Sequence, residues 1–311
     1  MHPCNKQDWN VRNMLVVLAM LAGLALPTAA EPIDLALWPI PGIVNLAEGK
    51  PSDGLAMEGL ALLWARLPEL SPSYRLANRP RQQRMMAEGI DFCATPLFRR
   101  DDSDADAYFI PWMVSTPIQA VIRARDLERF PVQDGYLSLA RLLHETDLRA
   151  GISGFRTYTP HISEWTAAAA SQCRVERVTG SQSGENLVQM VSYGRFDLTF
   201  ELSSISQTLA RAQPLPEPLL SLPLDEDRDL FETGIYCTRS AWGYAMAKRL
   251  DQAIREVAAD PDALLELYAS TMPSETWAVF AESMRNYYRV RAVTPTYFEP
   301  PVHTRGEESG D

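Results

Sequence analysis

Past residue 30 no apolar run approaches the roughly 20 residues that a membrane-spanning helix needs, so no membrane-spanning helix is expected there. The sequence also has no phosphate loop, no dinucleotide-binding glycine fingerprint and no HExxH pair. Its four cysteines (Cys4, Cys93, Cys173 and Cys237) show no CxxC spacing, and its four histidines are scattered, so no metal site is expected. No basic run is present and the formal net charge is -11, which argues against phosphate backbones and anionic lipid surfaces as partners. Two serine-containing fragments fall short of a nucleophile elbow. Residues 151–155 (GISGF) lack its final glycine, and residues 180–184 (GSQSG) carry glutamine where the serine belongs. The run Asp225, Glu226, Asp227 reads as a solvated loop. Neither a catalytic residue nor a cofactor is read from this chain.

What is there begins at the start of the chain. Residues 14–26 (MLVVLAMLAGLAL) form an apolar run of about 13, preceded by Lys6 and Arg12 and followed by Pro27, Thr28, Ala29 and Ala30. That order predicts a secretory signal peptide over residues 1–30, with Thr28 and Ala30 in the two small-residue slots and a mature chain starting near Glu31. Export places the protein in the periplasm. Cys4 leaves with the signal peptide, and the three remaining thiols allow at most one intramolecular disulfide.

The body of the chain alternates short apolar segments with amphipathic ones, and 46% hydrophobic residues suffice for one or two cores. Strands are expected at residues 33–38, 73–78 and 90–97, with helices at 54–67 and 81–88 between them, an order that favours a parallel sheet flanked by helices. Residues 99–106 (RRDDSDAD) read as a loop. Strands follow at 119–125, 148–153, 174–178 and 196–201, with helices at 137–145, 160–171 and 185–193. The stretch 213–223 holds four prolines and reads as a connection. A strand at 231–238 precedes three helices at 241–259, 261–271 and 274–288, and the tail after residue 300 is polar.

Several segments in this order resemble bacterial extracellular solute-binding proteins of family 3. Gly89, Ile90 and Asp91 stand in the slot of a G-x-x-D pattern, and Tyr108 to Trp112 (YFIPW) in the slot of a Y-F-S-x-P-Y pattern before a crossover strand. Residues 150–158 (AGISGFRTY) resemble an anion-binding V-x-x-G-x-x-Y loop, and residues 193–197 (YGRFD) a G-R-x-D segment. Residues 231–242 resemble the return strand and the first of the final helices. The resemblance implies an α/β periplasmic-binding-protein type II fold, two α/β lobes joined by a two-strand hinge. Residues 31–116 and 230–300 would form a discontinuous first lobe, 117–229 an inserted second lobe, and 301–311 a disordered tail. It is closest to a branch with no assigned ligand, which pairs a cysteine of the third strand with one of the return strand. That implies a Cys93–Cys237 disulfide and a free Cys173. The chain departs from amino-acid-binding members in one respect. The arginine that grips the α-carboxylate there would fall near Ser103, with Arg99 and Arg100 three or four positions early.

In α/β lobes, ligands sit at strand C-terminal ends and helix N-termini. The candidate ligand-binding residues are therefore Trp38, Phe98, Arg156, Thr157, Tyr158 and Glu201. Arg156, Thr157 and the surrounding backbone suit an anion, Glu201 an amine or hydroxyls, and the three aromatics a ring or sugar face. The expected function is non-catalytic: a monomeric periplasmic protein that closes on a small polar or anionic solute and hands it to an ABC-transporter permease or reports it to a sensor receptor. The alternatives are an interaction or signalling module on the same fold, and a small-acid dehydratase with Glu201 as its proton-transfer group.

Overall fold

The computed structural model describes residues 30–154, 156–179 and 183–301. The expected signal peptide, apart from Ala30, and most of the polar tail lie outside the described residues. Among the described residues, no helix is long and apolar enough to cross a membrane.

Ten strands form two five-stranded sheets. The first sheet holds β1 (Glu31–Leu37), β2 (Leu70–Leu76), β3 (Cys93–Phe98), β4 (Ala107–Ser115) and β10 (Phe231–Thr238), in the order β2-β1-β3-β10-β4. The second holds β5 (Gln119–Arg123), β6 (Ala150–Ser153), β7 (Val175–Val178), β8 (Leu198–Glu201) and β9 (Leu219–Leu222), in the order β7-β6-β8-β5-β9. The two orders are the same pattern: a parallel trio, then a strand arriving from the other sheet and running antiparallel to it, then an edge strand. The chain crosses from the first sheet to the second between β4 and β5 and returns between β9 and β10.

Each strand is placed by what it can bury. In β1, Ile33, Leu35, Ala36 and Leu37 are all fully buried, because helices cover both faces of a largely parallel sheet. Helix α1 (Leu55–Trp64) turns Leu55, Ala56, Gly59, Leu60 and Leu63 inward at helical spacing. Helix α2 (Arg79–Ala87) starts with Asn78, whose side chain accepts from the Arg81 N–H, and with Pro80 in its first turn. A short helix, α3 (Asp101–Asp104), occupies the polar segment expected as a loop.

The second sheet carries α4 (Leu139–Glu145), α5 (Pro160–Ser171), α6 (Ser183–Ser192) and α7 (Ser203–Ala212). Gly151 lies in β6 where an added Cβ would stand 2.5 Å from Leu187 and Phe196, so the glycine lets α6 pack directly on the strand. The final helices α8 (Ala241–Ala259), α9 (Asp262–Thr271) and α10 (Ser274–Val293) build most of the larger core with α1 and the first sheet.

Besides α3, three of the elements above were not read from the sequence. Strand β4 contains Pro111 at a sheet edge, where a missing N–H is tolerated; β9, also an edge strand, holds no proline itself but lies between Pro218 and Pro223. Helix α7 (SSISQTLARA) carries four polar or small residues in its first five positions and lacks a strong helix-forming start.

Cys93 and Cys237 are directly opposed on β3 and β10 and form a disulfide. Their Cα atoms are 4.1 Å apart, just below the usual spread of about 4.4–6.8 Å and near the closer spacing of facing residues in an antiparallel pair. Cys173 is free and exposed.

Candidate functional site

The C-terminal ends of the two parallel trios face each other across the crossover. On the second-lobe side β8 delivers Glu201 just before α7, and the loop after β6 delivers Arg156. Glu201 is only 1% exposed. One of its oxygens accepts from the Leu202 N–H at 2.7 Å and the other from the Arg156 guanidinium at 2.7 Å. Burial pushes the Glu201 carboxyl above the ordinary carboxylate range, against the opposing pull of Arg156 and the Leu202 N–H. Gly184, in the first turn of α6, lies over this pair so closely that a Cβ there would overlap a Glu201 oxygen. Glu185 follows it; its charge adds to the rise at Glu201, and it makes no ion pair among the described residues.

On the first-lobe side, β1 ends into the turn Trp38, Pro39, Ile40, Pro41 and Gly42. Gly42 has φ +76° and is so near Thr208 of α7 that a Cβ would overlap its hydroxyl. The two lobes are therefore in contact here. Between them lies a cavity of about 140 Å³, lined by Trp38, Ile40, Arg156, Glu185, Glu201 and Ile205 among others. A cavity of about 150 Å³ holds one benzene molecule, so this one suits a solute with a handful of heavy atoms. A second cavity of about 60 Å³, almost wholly apolar, shares Ile40 and is lined by Phe98, Met113, Leu202 and Tyr268.

The structure thus gathers Trp38, Arg156 and Glu201 at one cavity and puts Phe98 in the neighbouring apolar one. Arg156 and Glu201 touch each other directly instead of facing across a gap. Tyr158 turns into the second lobe: its hydroxyl accepts from the Ser153 N–H at 2.9 Å and its ring meets Phe200 edge-on. Burial raises the Tyr158 pKa. Thr157 is exposed on the loop and lines neither cavity. Glu185 and Ile205 join the cavity without having been singled out. Glu185 had only the signal of a polar first turn on an expected helix, and Ile205 belongs to α7, the helix the sequence hid.

Among the described residues no arginine of the first lobe lines either cavity. Ser103, where a carboxylate-gripping arginine would fall, is buried beside a separate pocket with Arg79, Phe98 and Tyr236. Arg99 is paired with Asp104 at 3.0 Å and lies over the Phe109 ring. Tyr236 locks the same turn, accepting from the Arg100 N–H at 2.9 Å and donating to Asp104 at 2.8 Å. Among the described residues no cluster of histidine, cysteine and carboxylate side chains is arranged to hold a metal.

No protein-family description and no curated protein matches the sequence. Solved structures do match by fold. A probable amino-acid ABC transporter extracellular-binding protein, ytmK of Bacillus subtilis, superposes with a TM-score of 0.58 at 12% identity over 78% of this chain and 97% of that one. The protein EhuB in complex with hydroxyectoine gives 0.54 at 15% identity, over 85% of this chain and 95% of its own. A histidine kinase sensor domain with similarity to periplasmic binding proteins gives 0.54 at 12%, over 79% of this chain and 99% of its own. The fold is the periplasmic-binding-protein type II fold, and its structural neighbours are solute-binding and sensing proteins.

Proposed function

We propose that this chain is an exported, monomeric, non-catalytic solute-binding protein whose two lobes close on a small polar solute for uptake through a permease or for sensing. The first lobe would take residues 31–116 and 230–300, and the second 117–229. One observation carries this reading: a small cavity, with an aromatic wall from one lobe and a buried charged pair from the other, lies where the strand ends of both lobes meet. A polar solute fits this cavity better than a free anion, because Arg156, the one cation lining it among the described residues, is already engaged by Glu201. Solute-binding ABC components and a kinase sensor domain both stand among the structural neighbours, which supports uptake and sensing alike.

The test is thermal unfolding of the mature protein against amino acids, amines, sugars and carboxylates. A true solute at about 100 times its dissociation constant adds about 2.7 kcal/mol of stability. The same solute is expected to leave the Ile205→Trp protein unshifted, since the indole fills the cavity. Equal shifts in both proteins would place the solute elsewhere.

A further inference from the structure

Resting on the solute-binding reading above, we infer that the solute is an organic cation with a small apolar body and no carboxylate. The charges at the cavity do not balance. Arg156 and Glu201 are joined at 2.7 Å, and Glu201 receives the Leu202 N–H as well, so each of its oxygens already has a donor. That pair cancels. Glu185 remains, half-buried at the same cavity and with no ion pair among the described residues. Among the described residues no second cation lines the space, and Arg99 in the turn after β3 is bound up outside it. An α-amino acid would therefore bring a carboxylate to a cavity that offers it two carboxylates and no free donor cation. An ammonium group meets the opposite situation. Glu185 supplies its counter-charge, and Trp38, 39% exposed where β1 ends, supplies the face of an indole, the ring that attracts cations best. Ile40, Pro41 and Ile205 complete the wall and suit a short hydrocarbon body.

The test is calorimetric titration with matched pairs that differ only by the carboxylate: L-valine against isobutylamine, and L-leucine against isopentylamine. In each pair the amine is expected to bind at least about tenfold more tightly, the scale of one charge-assisted hydrogen bond. Glu185→Gln is expected to weaken the amines by about tenfold or more, and Trp38→Leu by about threefold to thirtyfold. Tighter binding by the amino acid of each pair would overturn the inference. So would amine affinities unmoved in Glu185→Gln. Stabilisation by sugars or carboxylates with none from the amines would overturn the cation while leaving solute binding intact. No stabilisation by any compound in the panel would remove both.

Discussion

Replacing Cys93 and Cys237 together by alanine is expected to remove up to about 5 kcal/mol of stability, given their sequence separation of 144. The magnitude follows from where the bond lies. It ties β3, laid down before the chain leaves for the second lobe, to β10, laid down on its return. The closed loop therefore contains the whole second sheet, and opening it restores that freedom to the unfolded chain. A typical domain is stable by about 5–15 kcal/mol, so the variant is expected to melt many degrees lower or to fail to accumulate. Peptide mapping without reduction is the accompanying measurement, because it needs no stable variant. It should find Cys93 linked to Cys237 and Cys173 alone open to alkylation. A link to Cys173, or three alkylatable thiols, would contradict the pairing. Equal stability of the variant and the wild type would contradict the energy.

Arg156→Ala is expected to cost about 2–3 kcal/mol at pH 8, less than the loss on breaking a fully buried pair because the Arg156 side chain is 28% exposed. The variant leaves a carboxylate that is almost wholly buried without its guanidinium. The pH dependence identifies the cause. Burial already raises the Glu201 pKa in the folded chain, and removing Arg156 takes away a pull in the other direction, so the pKa rises further. A raised folded-state pKa gives stability that is fully present below the unfolded carboxylate's value and is lost as pH climbs through the folded value. The deficit of Arg156→Ala should therefore shrink between pH 8 and pH 5. Adding Glu201→Gln should recover most of it at pH 8, because the buried charge is gone. Denaturant unfolding at both pH values checks this, and a deficit independent of pH would assign the loss to packing instead.

Much of this fold was legible because its strands and helices follow simple periodicities. The span of α8 was read without error, and β10 likewise, since each has a clear apolar face and a turn signal on both sides. Strands β4 and β9 were hidden by proline, which signals a loop in a local reading and is harmless on a sheet edge. The site was legible in part. Arg156 and Glu201 stood out as charges at the ends of apolar strands or beside a glycine turn, and Trp38 as an aromatic where a strand stops. Their direct contact could not be read, because it depends on the register of β8 against β6 and on how closely α6 lies over the loop. Tyr158 shows the same limit: two residues from Arg156 in sequence, it faces Phe200 in the second-lobe core while Arg156 faces the cavity.

The central claim is that the two lobes close over a solute in the space between Trp38 and Glu201. Gly42 offers the most direct handle on it, because a side chain there meets Thr208 across the lobe contact without touching the charged pair. Small-angle scattering of the wild-type and Gly42→Ala proteins, each with and without a stabilising solute, is the measurement. The Gly42→Ala protein should show the larger radius of gyration when free and bind the solute more weakly, since closure now competes with the clash. Saturating solute should then return it to the wild-type curve. Superimposable curves for both proteins in every condition would contradict closure between lobes.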